Sequence, residues 1–191
     1  MKISGVVKIV FGTMIAKIYI SIIKPSIDNY ITKSQIVDAQ IGSNTKIYGK
    51  GTIFNSKNLK IGSNSRIGDN YFFHSLGGIT IGNNTILSRN VTIYSANHNY
   101  LSTELIPYDD TYIEKKVTIG NSVWIGMNVC ILPGVTIEDG AIIGMGTIVT
   151  KNIKKGEIVV GMGQRVATNR DLEIFEALTK SEKLYGKYGI H

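Results

Sequence analysis

The sequence predicts an all-β protein, a parallel β-helix carrying an apolar N-terminal segment and a short C-terminal helix. Three observations lead there. Isoleucine outnumbers leucine 32 to 9; isoleucine is enriched in strands, whereas leucine is the better helix former. Aliphatic residues recur every sixth position, at Ile119, Ile125, Ile131, Ile137, Ile143 and Val149. Asparagine and glycine cluster between them, as in IGSNT, IGNNT and IGNSV. A period of six matches neither a helix nor a plain alternating strand. It matches a short strand followed by a tight corner, and Asn and Gly tolerate the left-handed backbone that such corners use.

The first element, residues 1–30, is apolar, but Lys2, Lys8 and Lys17 punctuate it. Its longest uncharged run between those lysines, residues 9–16, is shorter than the ~20 residues that span a bilayer. No small-residue cleavage site follows, so a signal peptide is not expected. Two readings stand for this segment. It is a helix docked on the protein's own core or in an oligomer interface, or residues 1–24 lie on a membrane with their lysines near anionic headgroups.

The second element is the β-helix, residues 31–165. The six-residue step extends upstream through Ile81, Leu87 and Ile93, then Ile61, Ile67 and Phe73, then Ile41, Ile47 and Ile53. Three hexads make one coil of about 18 residues, and stacked coils align the aliphatic positions into internal ladders. The 20-residue offset between Ile41, Ile61 and Ile81 adds two residues at a corner of the early coils.

One excursion interrupts the repeat. The hexad IYSANH ends at His98, and the register resumes at Ile119, leaving a loop over 99–118. A long loop in a compact solenoid commonly carries function. His98 stands at its point of departure; His74 falls one coil earlier on the same face, and Glu104, Asp109 and Asp110 lie within the loop.

Composition bounds the function. An apolar content of 43% excludes a disordered chain. The formal charge of +7 points to anionic partners; with no supporting motif, nucleic acid is not expected. The single cysteine, Cys130, excludes an intrachain disulfide framework and fits a reducing compartment, so a cytoplasmic place is expected, at the inner face of the cell membrane if the N-terminus binds lipid.

Over about residues 61–170 the chain resembles the hexapeptide-repeat acyltransferases. It looks most like the maltose and galactoside acetyltransferase branch and the O-acetyltransferases of capsule, O-antigen and exopolysaccharide synthesis. The segments that carry the likeness are ITIGNNTILSRNVTIYSANH (79–98), VTIGNSVWIGMNVCILPGVTIEDGAIIGMGTIVTKNI (117–153) and GMGQR (161–165). The resemblance implies a left-handed β-helix, acetyl-CoA as co-substrate and a sugar or glycan hydroxyl as acceptor. It implies that His98 is the general base, a role suited to an imidazole that titrates near neutrality. It places the cofactor against Trp124, Gly126, Met127, Gly144, Met145, Lys151 and Arg165. It also implies a homotrimer whose active sites lie between subunits.

Substrate contacts are expected from His74, Ser75 and Glu104. The group that holds the second imidazole nitrogen is left open among a backbone carbonyl, Glu104, Asp109 and Asp110. No metal is expected: a zinc hydratase on this fold needs three histidines arranged at one subunit interface, and of the three here, His74, His98 and His191, the last stands in the C-terminal tail. The alternatives are an acetyltransferase for a sugar amine or other small acceptor, and a non-catalytic β-helix scaffold. The last element, residues 166–191, is read as a short helix and tail, with Leu172, Phe175 and Leu178 on one apolar face that packs on the end of the β-helix.

Overall fold

The computed structural model describes residues 5–103, 105–161, 163, 165–169 and 171–182, with backbone alone at 5–9, 165 and 167. The chain between Gln40 and Val160 forms a parallel β-solenoid of about six turns with three faces.

The aliphatic register of the sequence is the pairing register of the strands. On the first face, Ile41, Ile61, Ile81, Ile119, Ile137 and Ile153 are successive partners. On the second, the partners are Ile47, Ile67, Leu87, Ile125, Ile143 and Val159. On the third they are Ile53, Phe73, Ile93, Ile131 and Val149. From Ile61 onward these side chains are almost wholly buried and form one continuous core. The residues flanking them on each strand point outward, because side chains alternate along a strand.

The corners hold the coils in step. Asn44, Asn64, Asn84, Asn70, Asn90 and Asn128 all adopt positive φ, and their side chains hydrogen-bond from coil to coil, Asn44 to Asn64 at 2.8 Å and Asn70 to Asn90 at 2.9 Å. At the first corner the hydroxyls of Ser65 and Thr85 donate to the carbonyls of Gly82 and Gly120 in the next coil, at 2.9 and 2.8 Å.

The N-terminal helix runs to Gln35, past the expected boundary at residue 30. It comprises α1 (Gly5–Ile18), a π-helical turn (Tyr19–Ile23) and α2 (Lys24–Gln35). Pro25 lacks an N–H, and the wide turn before it lets Pro25 open α2 rather than break the rod. The end of α2 docks on the first coil. There Asp28 and Thr32 are buried, Thr32 Oγ1 donates to the Gly49 carbonyl at 2.9 Å, and Gln35 Oε1 accepts from the Ile53 amide at 3.1 Å. These bonds occupy backbone groups that an open first coil would leave unpaired.

From Val10 to Ile27 the rod is largely apolar and exposed on every side, with Phe11, Ile15, Ile20 and Ile22 each more than half exposed. By length and composition Val10–Gln35 suffices to cross a bilayer. The expectation from uncharged runs alone was shorter, because it stopped at Lys17 whereas the helix continues through it.

At the far end, Glu157–Val160 pairs antiparallel with Arg165–Asn169 and so covers the last edge of the second face. Helix α3 (Leu172–Lys180) follows, capped by Asp171, whose carboxylate accepts from the Ile174 amide at 3.1 Å. Phe175 of this helix lies against Gly140, where a Cβ would meet its ring at 2.6 Å. Lys155 pairs with Glu176 at 2.6 Å across the same contact.

Candidate active site

His98 is placed by a departure from the parallel pattern. Ala96–His98 leaves the third face and pairs antiparallel with Tyr112–Glu114, returning from the loop. Two rings enclose the imidazole. Tyr108 stacks on it with centroids 3.9 Å apart and planes at 15°, and Tyr112 lies 4.8 Å away. His74 stacks on Tyr94 at 5.4 Å and 10° and approaches Tyr112 at 6.2 Å, so Tyr112 stands between the two histidines. Sequence reading missed these tyrosines. Tyr94 had a signal, since it follows the inward Ile93 and therefore points outward.

The loop acids divide. Asp109 accepts from the Asn99 side-chain amide at 2.8 Å and from the Thr111 amide at 2.8 Å. Hydrogen bonds from the Thr111 side chain and backbone hold its carboxyl down at about 2. Asp109 is thus a clamp between the two strands of the loop base, and its oxygens are engaged there rather than on the imidazole. Glu104, expected to contact substrate, lies outside the described residues. Ser75, expected beside it, is fully buried and turned into the corner, so it offers no surface to an acceptor. His74 is partly open, with its Nδ1 enclosed and making no hydrogen bond.

The residues expected to hold the cofactor fall on a different edge. Trp124 projects from the second face between Ile86 and Ile142 and is 49% exposed. Gly126 and Met127, with Gly144 and Met145 one coil on, form the corner between the second and third faces. Their backbones are tied by Gly126 N to Ile143 O at 2.8 Å and Gly146 N to Met127 O at 2.8 Å. A Cβ on Gly126 would meet the Met145 amide nitrogen at 2.7 Å, so only glycine lets these coils close. Trp124, Met127, Met145 and Ile148 leave an exposed apolar band along this edge, which suits a long flexible thioester arm. Lys151 is exposed on the corner between the third and first faces, the corner from which the His98 strand departs. Arg165 opens the last strand opposite Val160, and its side chain is outside the described residues.

One chain therefore carries the parts on two edges of its third face. His74, His98 and Lys151 lie toward one edge; Trp124, Gly126, Met127, Gly144 and Met145 lie toward the other. Cys130 projects from the face between them, its thiol pushed up by burial. Among the described residues no cluster of His, Cys, Asp or Glu could hold a metal ion.

Comparison with known proteins identifies the family. Residues 116–151 match the family described as bacterial transferase hexapeptide (six repeats), and residues 58–95 match the hexapeptide repeat of succinyl-transferase. The chain is 40% identical over 111 residues to galactoside O-acetyltransferase of Escherichia coli (strain K12), covering 55% of this chain and 54% of that one. The chain thus spans about half the length of that relative. It is 27% identical over 158 residues to the putative lipopolysaccharide biosynthesis O-acetyl transferase WbbJ of the same organism, covering 78% of each. Among solved structures, a galactoside acetyltransferase in complex with coenzyme A superposes with a TM-score of 0.64 at 31% identity, over 71% of this chain and 67% of that one. With the repeat, the six-turn solenoid and these matches together, the chain belongs to the hexapeptide-repeat acetyltransferase family.

Proposed function

We propose that this protein is an acetyl-CoA-dependent O-acetyltransferase that acetylates a sugar hydroxyl in the synthesis of a surface polysaccharide, with His98 as general base. The observation that carries the reading is His98 itself, set on the rim of the third face by the antiparallel pair and held between Tyr108 and Tyr112. The coenzyme A bound to the galactoside acetyltransferase relative supports the co-substrate, and the relative named for lipopolysaccharide biosynthesis supports the setting.

In this mechanism the His98 imidazole takes the proton of the acceptor hydroxyl as its oxygen attacks the thioester carbonyl. The carbon–sulfur bond breaks, the sulfur of coenzyme A leaves, and the imidazolium returns the proton to it. Because the thiolate is a good leaving group, no covalent enzyme intermediate is required. Trp124, Met127 and Met145 would line the pantetheine arm, and Lys151 and Arg165 would meet phosphate.

The division of the site between two edges favours a homotrimer. A cyclic assembly with head-to-tail contacts sets unlike edges of neighbouring chains face to face, which joins the His98 edge of one chain to the Trp124 edge of the next. We further propose that the exposed N-terminal rod contacts the membrane, which places the enzyme at the inner face of the cell membrane, where lipid-linked glycans are elongated.

Mutation tests the reading. His98→Ala should lose at least 100-fold in acetyl transfer with unchanged circular dichroism and unchanged acetyl-CoA binding. A chain with Met145→Glu, which sets a charge on the exposed apolar band of the other edge, should be inactive alone. Co-expression of the two should restore part of the activity, because mixed trimers contain one intact shared site. Full activity of His98→Ala, or no complementation between two folded variants, overturns the assignment or the shared site respectively.

A further inference from the structure

We infer that the acceptor is an extended neutral glycan, several sugars long, that lies along the third face on a ladder of aromatic rings leading to His98. The inference rests on the acetyltransferase reading above and specifies its acceptor.

The ladder follows from strand register. Phe54, His74 and Tyr94 are partners in three successive coils, all on the outward side of the third face. Phe72 flanks them, 5.6 Å from Phe54 and 5.4 Å from Tyr94 with planes at 24°. Tyr94 stacks on His74, His74 approaches Tyr112, and Tyr112 touches His98. Five rings thus connect the first coil to the sixth ring, the proposed base, without a break. Such outward rings are surface that a soluble face ordinarily gives to polar residues, yet Phe54 is 47% exposed.

The rest of the face selects the occupant. The outward strand positions of its first three coils are Thr52, Phe54, Phe72, His74, Thr92 and Tyr94. None is an acid, a lysine or an arginine, although the chain carries a charge of +7. A nucleotide-linked sugar would need cations or free amides for its diphosphate; these strand positions provide neither. Exposed ring surface with hydroxyls beside it suits a sugar chain, whose C–H groups pack against aromatics while its hydroxyls hydrogen-bond. A shallow groove of about 340 Å3 follows the face, lined by Thr52, Phe72, Thr92 and Tyr94, with the side-chain amides of Asn70 and Asn90 along one side. The rings repeat at the strand spacing of ~4.8 Å, close to the length of one sugar unit. Length is the point: Phe54 and Phe72 are one or two coils away from His98, so a monosaccharide at His98 would not reach them.

The experiment compares glucose and galactose with their neutral linear oligosaccharides up to six units. Acetyl transfer should show kcat/KM rising with acceptor length. Phe54→Ala should lower kcat/KM for the hexasaccharides roughly three- to tenfold through KM, leaving kcat and the monosaccharide values unchanged. Saturation-transfer NMR without acetyl-CoA should show the same loss of hexasaccharide binding. No length dependence, or a Phe54→Ala variant that binds and turns over long acceptors like the parent, overturns the inference. A Phe54→Ala variant whose assembly falls apart in light scattering overturns it too, since the face is then a subunit contact. If no acceptor is acetylated but long glycans bind and Phe54→Ala releases them, the acetyltransferase reading fails and the glycan platform stands.

Discussion

At the scale of single residues, the corners show most clearly what the sequence encodes. The first corner repeats an asparagine at positive φ in three coils, Asn44, Asn64 and Asn84, and then Ser122 occupies the same place with φ of 53°. Serine has less tolerance for this conformation than asparagine. The Asn84 side chain donates to the Ser122 hydroxyl at 3.1 Å, a longer bond than the 2.8 Å of Asn44 to Asn64. Ser122→Asn should therefore stabilise the fold by about 0.5–1 kcal/mol, read as a higher urea midpoint with an unchanged slope; a lower midpoint would show that the corner favours serine for another reason. The asparagines were legible because a six-residue period exposes any repeated residue, and so was His98, the last residue before the period fails. Tyr108 and Tyr112 were not legible. They act on His98 from a loop with no period, and only the antiparallel pairing of His98 with Tyr112 brings them there.

At the scale of elements, the loop base behaves as a unit of its own. Asp109 ties Asn99 to Thr111 beneath the strand pair that presents His98. Its carboxyl is held at about 2, below the ordinary aspartate value, first by the Thr111 side chain and then by the Thr111 amide. A depressed pKa means that the folded loop favours the ionised form. Its contribution is complete above the ordinary value near 3.9 and disappears as the pH falls through about 2. The Thr111 amide resonance should titrate with a midpoint near 2, and a midpoint near 3.9 would show that the clamp does not form. Asp109→Ala should raise hydrogen exchange within residues 99–111 and lower kcat, while the melting temperature of the solenoid stays the same. The loop's position was readable from the break in register, and its internal wiring was not, because several acids in one loop look alike until the backbone chooses one. Helix α3 was readable in outline from the spacing of Leu172, Phe175 and Leu178; the salt bridge from Lys155 to Glu176 that fastens it was not, since those residues are 21 positions apart.

At the scale of the molecule, two parts with opposite surfaces are joined by one helix. The solenoid hides its aliphatic residues inside, whereas the rod from Val10 to Ile23 shows its own on all sides. A helix that is apolar all round is stable only when something surrounds it, and Lys17 marks a position suited to an anionic headgroup, while Lys24 is paired with Asp28 at 2.9 Å. The full chain should float with vesicles containing anionic lipid, and Phe11→Asp with Ile15→Asp should leave it in the soluble fraction with its activity toward soluble acceptors intact. Recovery of the parent chain free of vesicles at low salt would rule out the lipid contact. Seven of the eight isoleucines in the first 27 residues, those from Ile9 to Ile27, belong to this rod, so the isoleucine excess has two physical origins, a ladder core and a lipid-suited surface. The ladder itself has one more implication. Ile81 and Ile119 are neighbours in the stack although 38 positions separate them, twice the usual coil. The solenoid therefore closes over the loop as though it had been spliced out, and new chain ends could be opened near Ile106, which is 94% exposed. A chain cut there would keep every rung of the core, and the loop could be exchanged between relatives like a cassette, changing the acceptor without rebuilding the solenoid that carries it.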